Sequence, residues 1–138
     1  MSTATALPLD RHILEQALAM LEDDFDPDTD YAIVLSSPDW HPGVIGIVAS
    51  RVVERVHRPA VLIALRGGEA GRGSGRSIRG FDLVGGLAAC APMLDRFGGH
   101  RAAAGLDIQP DRVDEFRDAL NRHARAALSP ENLAPRVT

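Results

Sequence analysis

The ten residues Gly71–Gly80 read GRGSGRSIRG and hold four glycines, three arginines and two serines. Glycine lets another molecule approach the backbone closely, and arginine binds phosphates through several N–H donors. Backbone N–H groups and the Ser74 hydroxyl beside the Arg76 guanidinium could therefore bind a phosphate. Ala70 and Arg76 replace the glycine and lysine of a P-loop, and G-x-G-x-G differs from the dinucleotide fingerprint. The segment predicts a phosphate-binding surface, with a flexible hairpin of solvated arginines as the alternative.

A second segment that combines arginine and glycine follows at residues 96–105, RFGGHRAAAG. Gly98 and Gly99 precede His100 and are predicted to place its imidazole on a tight, exposed turn. A histidine can donate a hydrogen bond to a phosphate or carry a proton near neutral pH. The alternative is a turn histidine that is hydrogen-bonded to a neighbouring carbonyl.

The distribution of charge separates this region from the rest of the chain. All fifteen basic residues are arginine, and nineteen acidic residues bring the net charge to −4. The span Arg66–Arg101 contains six arginines and three acidic residues, which leaves +3 there and −7 elsewhere. Such asymmetry predicts a local basic surface on an acidic domain.

No pattern for a metal or catalytic centre is present. Four aspartates alternate in one acidic stretch: Asp24, Asp26, Asp28 and Asp30. A calcium loop starting at Asp24 would need glycine and glutamate where Thr29 and Leu35 stand, so this stretch is interpreted as a solvated connector. No spacing of His, Asp or Glu predicts a two-metal site. The single cysteine, Cys90, excludes an internal disulfide and is predicted to pack inside a helix.

Composition places the chain among soluble globular proteins. With 138 residues, 45% of them hydrophobic and 25% charged, it is long enough for one domain with a real core. No apolar run reaches the length of a membrane span, and the opening MSTATALPLD lacks the features of a secretory signal. We therefore expect a cytoplasmic protein with no membrane partner.

The first half of the chain has strong apolar periodicity. Five residues recur at helical intervals and predict a first helix: Ile13, Leu14, Ala17, Leu18 and Leu21. The runs YAIVLSS and AVLIAL predict buried strands, and HPGVIGIVASRVVERVH predicts a helix between them with Pro42 in its first turn. This order indicates a parallel βαβ unit. Trp40, at the start of that helix, is predicted to pack over the strand ends rather than bind a ligand.

The second half has weaker apolar signals. GRGSGRSI predicts a strand at a sheet edge or lining a cleft. FDLVGGLAACAPML predicts a helix capped by Asp82, FGGH a turn, RAAAGLDI a strand, and the segment after Pro110 a last helix. The glycine-arginine segment and AAAGLDI should lie near one another at one edge of the sheet. The fold class is therefore predicted as α/β: a mixed sheet of about five strands flanked by helices and preceded by a first helix.

Five motifs in order, WHPGVIGIVASR, RPAVLIAL, GRGSGRSI, the helix after FDL and FGGHRAAAGLDI, resemble a known domain. It is the DHH-associated domain of RecJ-type single-stranded-DNA exonucleases, in the DHH phosphoesterase superfamily. The resemblance runs from about Tyr31 to Leu120. It implies the end of an interdomain linker helix at residues 1–26, a nucleic-acid-binding domain at 27–128 and a polar tail at 129–138. The chain would then be an excised or truncated part of an exonuclease.

The resemblance also implies a division of labour. In this family a separate N-terminal domain, with an Asp-His-His run, binds a manganese or magnesium pair. The associated domain closes over the cleft and holds the nucleic-acid phosphates. No Asp-His-His run occurs in these 138 residues, so the resemblance implies no metal site or cofactor in this chain and no hydrolysis by the chain alone. The missing DHH domain would be a partner in the same or a separate chain, with roles in DNA repair and recombination.

By the same resemblance, two motifs would bind phosphate. The implied residues are Ser74, Gly75, Arg76, Ser77, Gly98, Gly99 and His100, with Arg72, Arg79 and Arg101 as weaker candidates. No catalytic residue is implied, although His100 could contribute once the missing domain is present. Because aromatic residues make up only 4% of the chain, base stacking should be scarce and recognition of single-stranded DNA insensitive to sequence.

Two further functions remain open at this point. One is the substrate-binding domain of a DHH-family oligoribonuclease or dinucleotide phosphodiesterase, whose ligand would be short RNA or a dinucleotide. The other is a structural or protein-interaction domain in which the arginines are solvated. Salt-dependent binding to single-stranded DNA would separate the exonuclease module from the structural domain. A comparison of a dinucleotide with a twelve-mer would separate the exonuclease module from the oligoribonuclease or dinucleotide function.

Overall fold

The computed structural model describes residues 9–134. Within that range, four α-helices and five strands form its body: α1 (Leu9–Asp24), β1 (Ile33–Ser37), α2 (Ile45–Val56), β2 (Ala60–Arg66), β3 (Glu69–Arg76), α3 (Leu83–Ala89), β4 (Arg96–Gly99), β5 (Ala103–Ile108) and α4 (Val113–Ala127). Short 3-10 helices lie at Ala91–Met93, Pro110–Arg112 and Pro130–Leu133. None of the described helices is long and apolar enough to cross a membrane.

The predicted α/β fold with a mixed five-stranded sheet is confirmed. The strand order is β1-β2-β3-β5-β4, with β1 and β2 parallel and the other neighbours antiparallel. The predicted βαβ unit is therefore present as β1-α2-β2. The glycine-arginine segment, in β3, is paired directly with β5, which contains AAAGLDI.

Helices cover the two faces of the sheet and divide the core into two layers. α1 and α2 pack on one face, where buried residues such as Ile13, Val48 and Leu62 meet. α3 and α4 pack on the other face against residues such as Ile63 and Leu106. Because successive residues of a strand point to opposite faces, buried β1 and β2 contribute to both layers, which explains their nearly continuous apolar sequences.

Two local predictions in the second half are wrong. β3 is the central strand of the five rather than an edge strand. Its residues Gly71, Gly73 and Gly75 are buried, and side chains from neighbouring elements occupy the space beside them. A Cβ atom on Gly73, for example, would lie 2.8 Å from a methyl carbon of Leu106. The strand is thus buried by its neighbours' side chains, which its own apolar pattern could not indicate.

The second correction concerns FGGH, for which the sequence predicts a turn. Phe97, Gly98 and Gly99 belong to β4, an exposed edge strand paired with β5, and the turn begins only at His100. Gly99 has φ +141°, and a Cβ atom there would lie 2.5 Å from Cα of Ala104. Glycine at this position therefore allows the chain to stay close to β5 as it enters the turn.

The helix predicted after Phe81 is shorter than its sequence suggested. α3 has seven residues, and Asp82 caps it by accepting a hydrogen bond from the Gly85 N–H at 3.2 Å. Cys90 ends the helix and is buried, and this burial raises the pKa of its thiol. The predicted cap and the burial of Cys90 are both confirmed.

The end of α2 is held by one buried arginine. Arg58 donates hydrogen bonds to the carbonyls of Asp30, Val56, His57, Pro27 and Leu133, at 2.8–3.3 Å. These bonds tie the acidic connector and the C-terminal segment to the helix end. Residues 135–138 of the predicted polar tail lie outside the described part of the chain, whereas Leu133 is buried.

Candidate nucleic-acid interface

Strand β3 sends its polar side chains to the face of the sheet that carries α2. The buried glycines point to the opposite layer, so Arg72, Ser74 and Arg76 alternate with them. The first turn of α2 reaches this strand. A Cβ atom on Gly46 would lie 2.7 Å from Nη2 of Arg76 and 3.0 Å from Oγ of Ser74. The approach of the helix to these two side chains therefore depends on glycine at position 46.

Arg76 and Ser74 form one hydrogen-bonded unit. Nη1 of Arg76 donates to Oγ of Ser74 at 3.2 Å and to the Gly75 carbonyl at 2.8 Å. Ser74 accepts this bond, so its own hydroxyl proton can be donated to a ligand. The remaining N–H groups of the half-buried guanidinium can be donated in the same way. This unit has the donors that an oxyanion requires.

The electrostatic surroundings of Arg76 favour an anion. The N–H groups of the first turn of α2 have no partners within the helix and carry its partial positive charge. Gly46 brings this end of the helix against the guanidinium. In the part of the chain that the structure describes, the ion pairs involve Arg72, Arg96, Arg112 and Arg117, and Arg76 is in none of them. Two positive groups thus meet without a carboxylate between them.

The predicted residue Ser77 is close to this unit but is used within the fold. Its N–H donates to the Ala102 carbonyl at 2.9 Å, and its hydroxyl donates to the Phe81 carbonyl at 2.8 Å. The hydroxyl has one proton, so in this geometry it can only accept a further bond. Ser77 therefore joins β3 to the turn after β4 and orients the start of α3. Gly75 is buried against Val61 and Leu83, and its carbonyl accepts a hydrogen bond from Arg76.

The turn that carries His100 is held next to the end of β3. The His100 N–H donates to the Ala103 carbonyl at 2.7 Å, and the Leu83 N–H donates to the Arg101 carbonyl at 2.9 Å. Ala103 in turn is the ladder partner of Arg76. The backbone of the turn is therefore fixed, while the His100 side chain is exposed. The structure brings the two predicted motifs to the same end of the sheet, with β5 between β3 and β4.

The three weaker candidates have different surroundings. Arg72 forms an ion pair with Asp107 at 2.9 Å. Arg79 is exposed and lines a separate cleft with His57 and Ser129. Arg101 is exposed in the turn beside His100. Only Arg72 and Arg101 therefore lie on strands or turns that adjoin the Ser74–Arg76 unit.

Helix α2 begins at Ile45 with Val44 as its N-cap, so Pro42 lies in the turn before the helix, whereas the sequence predicts it in the first helical turn. Trp40 is buried and donates from Nε1 to Oε1 of Gln16 at 2.8 Å, which confirms its packing role. His41 is exposed, and its Nδ1 accepts a bond from the Gly43 N–H at 2.9 Å. Gly46 was not among the residues predicted from the sequence, although a glycine inside the first turn of a helix is a signal in itself, because it costs helix stability.

The residues described contain no group of three or more His, Cys, Asp or Glu side chains that could hold a metal ion. The acidic connector is organised instead by its own backbone, with the Asp26 N–H donating to Oδ2 of Asp30 and the Asp28 N–H to Oδ1 of Asp26. These residues do not fit a divalent metal pair. No metal-dependent step can therefore be assigned to this part of the chain.

Comparisons with known proteins agree with this description. A family model, the DHHA1 domain, matches residues 29–126. The single-stranded-DNA-specific exonuclease RecJ of Bacillus subtilis is 42% identical over 105 residues, which cover 75% of this chain and 13% of that protein. RecJ of Dickeya dadantii is 47% identical over 89 residues, which cover 62% of this chain and 16% of that protein. The chain thus spans less than a fifth of the length of these two relatives.

Solved structures give the same result. A crystal structure of exonuclease RecJ bound to manganese matches with a TM-score of 0.77 and 32% identity, over 91% of this chain and 30% of that one. RecJ of Thermus thermophilus in complex with Mg²⁺ matches with a TM-score of 0.71 and 35% identity, over 85% of this chain and 18% of that one. Manganese and magnesium are bound in those two RecJ structures, whose chains are several times longer than the matched region.

Proposed function

Because this chain belongs to the DHHA1 domain family, we propose that it binds the phosphate backbone of single-stranded DNA for a RecJ-type exonuclease. It would complete the active-site cleft of a metal-binding DHH domain located in the same chain or in another one. The resemblance to RecJ exonucleases also favours a cytoplasmic role in DNA repair and recombination.

The observation that carries the proposal is the position of Arg76. Its guanidinium lies against the first turn of α2 at Gly46 and is bonded to the Ser74 hydroxyl, with no ion-pair partner among residues 11–134. A phosphate there would receive hydrogen bonds from arginine, serine and helix N–H groups together. An arginine with a purely structural role would gain nothing from this position, because a cation is disfavoured at the positive end of a helix.

The lack of aromatic surface argues for recognition of phosphates rather than bases. In the described chain the exposed large hydrophobic residues are Ile47 and Phe97, of which only Phe97 is aromatic. Stacking platforms in single-strand binders use several aromatic side chains. Affinity should therefore depend little on base composition.

We expect no hydrolysis of DNA by this chain alone. Two-metal cleavage of a phosphodiester requires carboxylates that hold both ions, and the described residues offer no such group. The test incubates highly purified protein with a labelled single strand and Mn²⁺ or Mg²⁺. Release of nucleotides that a chelator abolishes would contradict the expectation.

Replacement of Arg76 tests the binding proposal. We expect Arg76→Ala to weaken binding of a twelve-nucleotide single strand by about ten- to a hundredfold, since a charge-assisted contact contributes roughly 1.5–3 kcal/mol. The loss should be similar for different base compositions. The dependence of log affinity on log salt concentration should become shallower by about 0.7, as for one phosphate contact. Fluorescence anisotropy at several salt concentrations measures both quantities.

Arg55→Ala is the matched control, because Arg55 is an exposed arginine in the last turn of α2, far along the helix from Gly46. Equal affinities of the two variants at low salt would exclude the Arg76 site. A native protein that binds a dinucleotide as tightly as the twelve-mer would instead favour the oligoribonuclease or dinucleotide function. If neither ligand binds in a salt-dependent way, the remaining interpretation is a structural or protein-interaction domain.

A further inference from the structure

The open half of the α2-facing sheet surface has a regular arrangement. Residues opposite one another in antiparallel strands share a face, so the register of β3, β5 and β4 defines three rows across them. The rows are Arg76 and Ala103; Ser74, Gly105 and Gly98; and Arg72, Asp107 and Arg96. The middle row, which we name the glycine trough, starts at the Ser74–Arg76 unit and ends at the exposed edge strand.

The floor of the glycine trough is backbone. Among the residues that the structure describes, a Cβ atom on Gly98 would meet no atom within 4 Å, and one on Gly105 would meet only the Gly73 carbonyl, at 3.4 Å. Neither glycine has a positive φ, so neither is needed for the conformation of its strand. An open depression of about 380 Å³ lies at these two residues, with Arg72, Arg96 and Asp107 around it. The space above these two glycines is therefore open, and the backbone conformation does not require glycine at either position.

The third row forms a positively charged wall along the trough. Nε of Arg72 donates to Oδ1 of Asp107 at 2.9 Å, and Nε of Arg96 donates to Oδ2 at 3.1 Å. The carboxylate side chain is 17% exposed, whereas the arginines are 48% and 76% exposed. Two guanidinium groups share one carboxylate and keep a net charge of +1. Each still has the N–H groups of its two terminal nitrogens for another acceptor.

We propose that a single strand bound at Ser74 and Arg76 continues across the glycine trough and leaves the sheet over β4. The next segment of its sugar-phosphate backbone would lie on Gly105 and Gly98, with a phosphate facing Arg72 and Arg96. This inference rests on the proposed function. The trough crosses two strand spacings, about 10 Å, so it extends the site beyond the single phosphate that Arg76 binds.

The charge and shape of the trough favour a polynucleotide over a protein strand. A peptide added to the edge would pair with the outer side of β4 and would not need an empty face over Gly98 and Gly105. An anionic chain that passes the edge gains both the close approach to backbone and the arginine wall. Asp107 holds the two arginines in position and limits their net charge, so repulsion should not drive the two side chains apart when no ligand is present.

Filling the trough tests the proposal. Gly98→Val places a β-branched residue in open space on an edge strand, where it should not disturb folding. We expect this variant to bind the single-stranded twelve-mer about tenfold more weakly. Gly67→Val is the control, because Gly67 lies in the β2–β3 turn and a Cβ atom there also meets nothing within 4 Å. Arg96→Ala should lower the salt slope by about 0.7, whereas Arg55→Ala should not.

Inorganic phosphate separates the two proposals. Its titration, followed by NMR of the Arg76 side chain and the Gly46 amide, reports only the first site and should be unchanged in Gly98→Val. Unchanged affinity of Gly98→Val and Arg96→Ala for the twelve-mer, with Arg76→Ala still defective, would overturn the trough and leave the proposed function intact. If Arg76→Ala binds normally, the proposed function itself fails. Equal losses in Gly98→Val and Gly67→Val would also exclude the trough.

Discussion

The two ends of helix α2 each have an arginine, and the two arginines are in opposite situations. At the C-terminal end, Arg58 is buried and donates to five carbonyls, including those of Val56 and His57. At the N-terminal end, Arg76 is half-buried beside Gly46, and within the described part of the chain its side chain donates to Ser74 and Gly75. A cation is stabilised at the negative end of a helix dipole and disfavoured at the positive end.

This difference separates a structural arginine from a candidate binding residue by physical criteria. Burial lowers the pKa of the Arg58 guanidinium, and the nearby Tyr31 and Asp30 oppose that effect. Its guanidinium also lies 5.5 Å from the centre of the Phe25 ring, within range of a cation–π interaction. Arg58 is thus satisfied by the fold itself. Arg76 is not, and its surroundings would be complemented by an anion.

The largest effect is expected from loss of Arg58. Arg58→Ala leaves five carbonyls without this donor and should lower the free energy of unfolding by about 3 kcal/mol or more. Urea denaturation followed by circular dichroism measures the change. Arg55→Ala, one turn earlier and exposed, should change it by less than about 0.5 kcal/mol. If Arg58→Ala does not fold, Arg58→Lys provides an intermediate variant; native-like stability in either would contradict the structural role.

A smaller effect, on binding, is expected at the other end of the helix. In Gly46→Ala the new methyl group would displace the Arg76 guanidinium, from which it would lie only 2.7 Å away. The helix itself should tolerate or favour alanine. We expect binding of the twelve-mer to weaken about tenfold, or roughly 1.4 kcal/mol, without loss of stability. Glu54→Ala, at an exposed position two turns further along α2, is the control; equal affinities of the two variants would show that Gly46 does not position Arg76.

The smallest effect is expected for the stability of Arg76→Ala. The variant loses bonds to Ser74 and Gly75 but also removes a cation from the positive end of α2, an arrangement that costs roughly 0.3–1 kcal/mol. The free energy of unfolding should therefore change by less than about 0.5 kcal/mol. The sign of the change shows whether the lost hydrogen bonds or the removed charge repulsion has the larger effect. A destabilisation comparable with that of Arg58→Ala would show that the two helix ends are alike.

The sequence was sufficient for the elements that carry their own apolar pattern. β1, α2, β2 and α4 bury residues such as Val48, Leu62 and Phe116 at the intervals that periodicity detects. The cap at Asp82 was also predictable, because it depends on nearby residues, and the burial of Trp40 was expected although its bond to Gln16 joins residues 24 positions apart. The motifs around Ser74 and His100 could be nominated as binding segments from their glycine, serine and arginine content.

The position of β3 and the composition of the proposed interface could not be predicted in this way. Gly71, Gly73 and Gly75 are buried by side chains from other elements, so the strand has no apolar period of its own to reveal its central place. Arg96 and Asp107 were not singled out, because the pairing of Asp107 with Arg72 joins residues 35 positions apart. Such pairs are created by strand register, which a single sequence does not display.

By itself the sequence determined most of the helices and strands, with β4 as an exception, and where glycine, serine and arginine are concentrated, because both follow from local residue types. Only the tertiary structure decided which of these groups act together. It placed the first turn of α2 against Arg76, assigned the Ser77 hydroxyl to the fold, and aligned Gly98 and Gly105 beside an arginine wall. The physical reason is that donors converge through strand pairing and helix packing between distant residues, and the charge and open space of a binding surface arise only there.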